Sequence, residues 1–164
     1  MKKGLKKTDL PRFIADVMLG SLSRWLRLFG FDTLYRNDFT DKQLIKLSLQ
    51  EDRVLLTRDN ALAKSKLLKK VLLIQSEEIR EQIKEVLLSF YPKLELLNLK
   101  PRCPVCNGET ERIKKEEIKG QLPDYVLFSS HEFIMCKSCG KIYWEGTHKE
   151  KIDEVKKDIL QSLK

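Results

Sequence analysis

The sequence predicts an α/β protein with a parallel sheet, followed by a small module built around a metal ion. In the first hundred residues, short runs rich in β-branched and aliphatic residues alternate with segments whose apolar residues recur at helical spacing. The only four cysteines of the chain then follow as two C-x2-C pairs. A chain of 164 residues is long enough for one hydrophobic core and a small appended module.

Four short runs are predicted as strands because they are rich in β-branched and aliphatic residues. Helical patterns separate them, and parallel strands need crossover connections of this kind. We therefore expect them to form one parallel sheet. The runs are Arg12 to Ala15, Thr33 to Tyr35, Val54 to Thr57 and Val71 to Gln75.

The helical segments of this part have recognisable ends. The first apolar stripe begins at Leu19 and stops at Gly30, a residue that suits the left-handed position after a helix. The segment Thr40 to Gln43 has the pattern of a capping box and predicts the start of a second helix. A third stripe, Ile79 to Phe90, is the clearest of all and predicts an amphipathic helix.

The chain is predicted to divide near Pro101. The segment Leu94 to Leu99 before it is expected to be a further strand or an extended tie, and Ile152 to Leu163 has the pattern of a C-terminal amphipathic helix. The predicted parts are an α/β domain at residues 1–100, a metal-bound module at 101–148 and the helix at 149–164.

The basic charge of the chain lies in its first part. Residues 1–100 hold 20 Lys and Arg against 13 Asp and Glu, a charge of +7, whereas residues 101–164 hold 12 against 11, a charge of +1. A pI near 9.3 fits a polyanionic partner. A solvated, lysine-rich surface is the alternative explanation.

Each cysteine pair has the spacing at which two thiolates on one turn bind the same tetrahedral ion. The glycine after each pair, Gly108 or Gly140, is expected to adopt a positive φ. Four thiolates leave no open position, so the ion would be structural and would fold the module. Zinc is the favoured ion, with iron or two disulfides as the alternatives. The cysteines are Cys103, Cys106, Cys136 and Cys139.

A cytoplasmic, soluble protein is expected. The basic start of the chain is not followed by the apolar run of a signal peptide, which also disfavours the disulfide alternative. No segment approaches the ~18 apolar residues of a membrane span.

Acidic residues follow three of the predicted strands. Asp16 ends the first run, Asp38 and Asp41 follow the second, and Asp59 lies just after Thr57. The carboxyl ends of parallel strands meet at one edge of the sheet, so we expect these carboxylates to converge and to need a cation such as Mg²⁺ or Mn²⁺. Such ions serve phosphate chemistry. Alternatively, Asp38 is a turn residue and Asp41 a favourable charge at a helix N-terminus.

Three motifs occur in order along the chain: Phe13-Ile-Ala-Asp16-Val-Met-Leu-Gly20-Ser-Leu-Ser-Arg24-Trp25-Leu-Arg27, then Leu56-Thr57-Arg58-Asp59, then the cysteine pairs ending in Cys139-Gly-Lys-Ile-Tyr-Trp144-Glu-Gly-Thr-His148. Together they resemble the Mut-seven C-terminal RNase family, PIN-like domains fused to a zinc ribbon. The resemblance implies a PIN-like three-layer α/β/α sandwich with a parallel sheet, a small zinc ribbon with four cysteine ligands and metal-dependent ribonuclease activity.

The resemblance also implies roles for individual residues. Asp16 and Asp59 correspond to the metal-binding acids of PIN-like nucleases, Asp41 to the acid on the intervening helix, and Thr57 to the threonine of the Thr-x-Asp motif. Many such nucleases carry a further acid after the next strand, where this chain has Glu77 and no Asp. A site with one catalytic metal or with two is therefore open.

Six further residues are candidates for RNA contacts. Arg24 and Arg27 lie three residues apart on one predicted helical face opposite the leucine stripe, where they would clamp phosphate or make ordinary salt bridges. Arg58 has the same two explanations. In the zinc module, Trp144 and His148 are candidates to contact unpaired bases or phosphate, as is the neighbouring aromatic Tyr143, although in so small a module at least one of them is expected to pack in the core.

The sequence thus predicts an enzyme, a Mg²⁺- or Mn²⁺-dependent ribonuclease with structural zinc, whose partner is RNA. The alternative is a non-catalytic RNA-binding or adaptor protein with a PIN-like fold. The RNA substrate, the choice between endo- and exonucleolytic cleavage and the oligomeric state are not determined by the sequence.

Overall fold

The computed structural model describes residues 10–90 and 99–163. The basic start of the chain and most of the predicted strand or tie at 94–99 lie outside these residues. The chain forms two compact units, Met1–Asn107 and Gly108–Lys164. The first cysteine pair therefore belongs with the parallel sheet in this division, while the three predicted domains remain a prediction.

The first unit contains a four-stranded parallel sheet in the order β2-β1-β3-β4. Three of the four predicted strands begin where the sequence places them, and β1 begins one residue later. The last strand ends before Gln75. The strands are β1 (Phe13–Ala15), β2 (Thr33–Tyr35), β3 (Val54–Thr57) and β4 (Val71–Leu73).

Helices connect these strands, and their ends follow the sequence signals. After α1, Gly30 has a φ of +97°, and α2 begins with a capping box in which Thr40 and Gln43 bond reciprocally. The short α3 was not predicted, since four residues are too few to show a helical period. The helices are α1 (Gly20–Leu28), which a 3₁₀ turn at Val17–Leu19 precedes, α2 (Asp41–Gln50), α3 (Asn60–Ala63) and α4 (Ile79–Phe90).

Helices cover both faces of the sheet, as neighbouring residues of β1 demonstrate. Phe13 makes edge contacts with the rings of Phe31 and Phe90, whose centroids lie 5.6 and 5.3 Å away. Ile14, which points to the opposite face, packs with Leu44 of α2. The prediction of a three-layer α/β fold with a buried parallel sheet is therefore confirmed.

A buried arginine fixes the edge of the sheet at which the strands begin. Arg53 donates to Asp32 and Glu51 and to the carbonyl oxygen of Phe13. Burial alone would raise the pKa of Asp32, but hydrogen bonds from Arg53 and Asn107 outweigh it and hold that pKa below its usual value. Structural ion pairs thus occupy the end of the sheet at which the strands begin. The opposite end, where the strands finish, is the one left for a functional site.

The second unit contains an antiparallel sheet of three strands in the order β5-β6-β7. Its core consists of Ile118, Val126, Leu127 and Phe133. The predicted C-terminal helix is present and begins at Thr147. The elements are β5 (Thr110–Ile113), α5 (Asp124–Ser129), β6 (Phe133–Cys136), β7 (Ile142–Trp144) and α6 (Thr147–Ser162). Of the helices in the described residues, none has the length and apolar character needed to span a bilayer.

Candidate acidic site and cysteine cluster

Asp16 and the segment Thr57–Asp59 meet at the carboxyl edge of the parallel sheet. The strand order reverses between β1 and β3, which is where open parallel sheets place their sites. Ala15 pairs with Leu56, and the N–H group of Asp16 donates to the Leu56 carbonyl at 2.9 Å. The next residue of each strand is therefore Asp16 on one side and Thr57 on the other.

The hydroxyl group of Thr57 links the two acidic residues. It donates to Oδ2 of Asp16 at 2.7 Å and accepts from the backbone N–H of Asp59 at 2.9 Å. Thr57 is fully buried. Its side chain therefore fixes the Asp16 carboxylate relative to the turn that carries Asp59.

The Asp16 side chain is only 6% exposed. Its Oδ1 accepts from the N–H of Val17 at 2.6 Å, so both oxygens take part in hydrogen bonds. In the described ranges, no lysine or arginine nitrogen lies within 4.0 Å of this carboxylate. A buried carboxylate without a cationic partner is costly, and a bound cation would remove that cost.

Asp59 caps the first turn of α3. Its Oδ1 accepts from the N–H groups of Ala61 and Leu62 at 2.7 and 3.1 Å. Unlike Asp16, Asp59 is exposed. The position thus combines a fixed side chain with access from solvent.

The other two acids of this edge are less constrained. Asp41 is exposed at the first position of α2, and Asp38 forms a bidentate ion pair with Arg36. Among the described residues, the oxygens of Asp16, Asp41 and Asp59 do not all lie within 4.8 Å of one another. The structure therefore brings Asp16 and Asp59 together through Thr57 without assembling a tight group of three carboxylates.

Arg58 lies beside Asp59 in the chain, and two further arginines follow β1 and β2 in the sequence. Arg58 pairs with Glu77 at 2.9 Å, which brings the segment after β4 to the same edge. Arg24 is exposed on α1. Arg36 was not singled out in the sequence, although its position directly after β2 is the signal that would have identified it.

Tyr35 is a second residue that sequence reasoning missed. Its hydroxyl donates to the carbonyl oxygen of Val17 at 3.0 Å and so ties the end of β2 to the turn after Asp16. A Cβ atom at Gly20 would lie 2.7 Å from that hydroxyl oxygen, so this approach requires glycine. The Gly20-Tyr35 contact could be found only once β1 and β2 were known to be neighbours.

The four cysteines form the expected cluster. Their sulfur atoms all lie within 4.8 Å of one another, with Cys103 and Cys136 buried and Cys106 and Cys139 exposed. In a tetrahedral zinc site with bonds of about 2.3 Å, the sulfurs are about 3.8 Å apart. The four thiols therefore fit a zinc ion, and no other such group of His, Cys, Asp or Glu side chains occurs in the described residues.

The two cysteine turns differ in the residue that adopts a positive φ. Gly140 has a φ of +72°, as predicted, but in the first turn the left-handed residue is Asn107, at +67°. Gly108 serves a different purpose, because a Cβ atom there would lie 2.7 Å from Sγ of Cys136. The N–H groups of Ser138 and Cys139 point to that same sulfur at 3.4 and 3.5 Å, as expected for a thiolate ligand.

Arg27 departs from the expectation that it is exposed beside Arg24. Its side chain is 4% exposed, and its guanidinium donates to three carbonyl oxygens, those of Thr33, Pro104 and Val105. Burial lowers the pKa of Arg27, an effect that the nearby Cys103 and Cys106 partly oppose. The buried guanidinium of Arg27 therefore holds the first cysteine turn, and its burial argues against the predicted phosphate contact.

The aromatic and histidine candidates of the second unit lie on or after its last strand. Trp144 is 40% exposed and ends β7, and His148 is exposed in the first turn of α6. Tyr143 is half-buried on the opposite face of the sheet from Trp144. Trp144 and His148 are thus accessible to a ligand.

The model of the Mut7-C RNAse domain family matches residues 11–156. The chain belongs to this family. The match includes both acidic residues, Thr57 and all four cysteines. Comparison with curated proteins gave no match, and comparison with solved structures gave none. Membership of the Mut7-C RNAse family indicates a nuclease-like, RNA-related function with RNA as the substrate.

Zinc loading should require the cysteine cluster of this Mut7-C protein. We expect the purified chain to contain about one equivalent of zinc, and Cys103→Ser or Cys139→Ser to lose most of it, because three thiolates hold the ion less tightly. Metal analysis of the purified proteins measures this. Ser138→Ala is the matched control within the same turn and should retain zinc. Equal zinc content in the cysteine variants would contradict the assignment.

Arg27→Met should weaken the first cysteine turn. Three carbonyl oxygens would lose their charged donor, which we expect to lower the free energy of unfolding by about 3 kcal/mol and to speed the release of zinc to a chelator. Urea denaturation and a colorimetric zinc-release assay measure the two effects. Arg24→Met, one turn away and exposed, should change the free energy of unfolding by less than about 0.5 kcal/mol. Equal behaviour of the two variants would rule out the role of Arg27.

Proposed function

We propose that this protein is a ribonuclease that depends on a divalent metal ion and hydrolyses RNA phosphodiester bonds. The observation that supports it best is the pair of acids joined by the Thr57 hydroxyl at the switch point of the sheet. Membership of an RNase family supports RNA as the substrate. The basic first part of the chain, with a charge of +7 over residues 1–100, is suited to a polyanion.

Asp16 and Asp59 are the residues that would hold Mg²⁺ or Mn²⁺. Carboxylate oxygens are the preferred donors of these ions, which protein sites often bind through one or two carboxylates while several waters remain bound. Asp41, exposed at the start of α2, would contribute through a water molecule. When bound, such an ion lowers the pKa of water and stabilises charge on phosphate oxygens.

The protein residues have separate tasks in this proposal. Thr57 keeps the Asp16 carboxylate oriented, and the turn held by Tyr35 supports the same residue from the other side. A carboxylate at this site accepts the proton of the attacking water. Arg58 and Arg24 would bind phosphates of the RNA, and Arg58 would exchange its exposed partner Glu77 for a phosphate oxygen.

The four cysteines would bind structural zinc, with no part in the hydrolysis. Trp144 and His148 would contact RNA on the second unit. A non-catalytic RNA-binding or adaptor protein is the second candidate. It is favoured by the spacing of Asp16, Asp41 and Asp59, whose oxygens do not form a tight group of three. The two candidates differ in whether the protein cuts RNA.

Asp16→Asn and Asp59→Asn should each abolish cleavage. Loss of either carboxylate removes a metal-binding oxygen, and we expect the rate to fall by roughly 10³-fold or more while RNA affinity stays within about threefold. Cleavage of a labelled single-stranded RNA with added Mn²⁺, together with a binding titration, measures both. Asp38→Asn is the matched control, an acid of the same sheet edge to which no catalytic role is assigned.

A wild-type protein that binds RNA but never cuts it, with Mg²⁺ or Mn²⁺ added, would establish the adaptor alternative. If the Asp16→Asn protein cuts RNA at the wild-type rate, the proposed metal site at Asp16 and Asp59 is excluded, although the protein is still a ribonuclease.

Thr57→Val should reduce the cleavage rate by about 10- to 100-fold, because an unsupported metal-binding side chain loses orientation. Valine has nearly the same shape as threonine, so it keeps the packing of this buried side chain, and urea denaturation checks that the variant is folded. Rates at saturating and limiting RNA separate an effect on turnover from one on binding, and we expect turnover to fall. Thr57→Ser restores the hydroxyl and should recover most of the rate. A valine variant as fast as the wild type would show that the hydroxyl is dispensable.

A further inference from the structure

The second unit exposes large apolar side chains of one kind only. In the described residues of Gly108–Lys164, every exposed large hydrophobic residue is aromatic, and these are Tyr125, Phe128 and Trp144. In the described part of the first unit none is aromatic; the exposed set there is Val17, Met18, Leu49, Leu67, Val71, Leu88 and Val105. A purely aromatic set is what a surface that stacks on flat rings requires.

Two of these rings stand side by side on α5. Tyr125 is 73% exposed and Phe128 is 80% exposed, and residues three apart are neighbours on a helix surface. The two residues between them, Val126 and Leu127, are buried in the core of the unit. Because that core anchors the helix, the rings are held outward on a fixed base.

A lysine accompanies the rings. The ammonium group of Lys115 lies 5.5 Å from the centroid of the Phe128 ring. Lys115 begins the 3₁₀ turn whose last residue, Ile118, is buried in the same core as Val126 and Leu127. One core therefore fixes both the aromatic pair and a cation next to it.

Trp144 belongs to the face of the sheet that α5 covers. It pairs directly with Phe133 across β6 and β7, and directly opposed residues point to the same face. Phe133 packs in the core with Val126 and Leu127 of α5. We call Tyr125, Phe128, Lys115 and Trp144 the aromatic surface.

We infer that the aromatic surface binds the unpaired bases of single-stranded RNA. Tyr125 and Phe128 stack on successive bases, Trp144 on the sheet face that α5 covers stacks on a further base, and Lys115 contacts a phosphate. The choice of RNA rests on the proposed function, because a ribonuclease must hold its substrate. Duplex RNA is disfavoured, since its bases are already stacked on one another and their faces are closed to side chains.

The charge of this part of the chain supports stacking over phosphate binding. Residues 101–164 carry 12 Lys and Arg against 11 Asp and Glu, so a general attraction to a polyanion is weak there. The affinity that the aromatic surface contributes should therefore depend little on salt. The basic first unit should supply the salt-dependent share of RNA binding.

The test uses the full-length, zinc-loaded protein in buffer without added Mg²⁺ or Mn²⁺. Fluorescence anisotropy measures its affinity for an oligouridylate of about ten nucleotides and for an abasic strand of the same length. The double variant Tyr125→Leu/Phe128→Leu removes both rings but keeps apolar side chains. We expect it to bind oligouridylate on the order of 10- to 100-fold more weakly and to bind the abasic strand as the wild type does.

Two comparisons separate stacking from other effects. Leu67→Ala/Leu88→Ala removes exposed apolar side chains of the first unit and should leave affinity for oligouridylate unchanged. Lys115→Gln should lower the salt dependence of binding by about one phosphate contact, whereas the leucine double variant should leave that dependence as it is. Circular dichroism and urea denaturation confirm that each variant is folded.

If the leucine double variant binds oligouridylate as tightly as the wild type, the inference is overturned, because base stacking requires the rings. A surface that docks an apolar protein instead would keep its contacts when the two rings are replaced by leucine. An equal loss of affinity for the abasic strand would overturn it as well. The ribonuclease proposal is tested independently of this inference. If the protein binds oligouridylate through these rings but never cuts RNA, the ribonuclease proposal is refuted and the inference stands. If the protein cuts RNA but does not need the rings to bind it, the inference is refuted and the ribonuclease proposal stands.

Discussion

The in-register pairing of β1 with β3 is the constraint on which the acidic site depends. It places Asp16 beside Thr57, so that one buried hydroxyl can bind the first acid and the turn of Asp59 together. Asp16 and the distant segment that holds Thr57 and Asp59 thus form a unit with little freedom. A site of this kind loses little entropy when a ligand binds, since its side chains are already ordered.

The two units differ in what they offer to RNA. The first has the acidic edge and most of the positive charge, which attracts a polyanion without regard to base. The second is close to neutral and exposes aromatic rings, the groups proposed above to contact bases without need of charge. Electrostatic attraction and stacking respond differently to salt, so their contributions to RNA binding are separable by experiment.

Local sequence signals predicted much of this protein, and contacts between distant segments account for the departures. The capping box at Thr40 and the end of α1 at Gly30 depend only on neighbouring residues, and both are present. Arg27 has the same kind of sequence context as Arg24. Arg27 is buried in contacts with Thr33 and with the first cysteine turn, more than seventy residues later, whereas Arg24 is exposed. Periodicity cannot report such a contact.

The sequence by itself determined the α/β class with its parallel sheet, the four-cysteine cluster and the edge at which the acids lie. These follow from residue type, spacing and the alternation of strands and helices along the chain, which are local or nearly so. The tertiary structure decided which acids are joined, which arginine is buried, that Asn107 rather than Gly108 turns the first cysteine pair, and that α5 exposes two rings. Each of these depends on side chains that the fold brings together from distant positions, and no local pattern encodes that proximity.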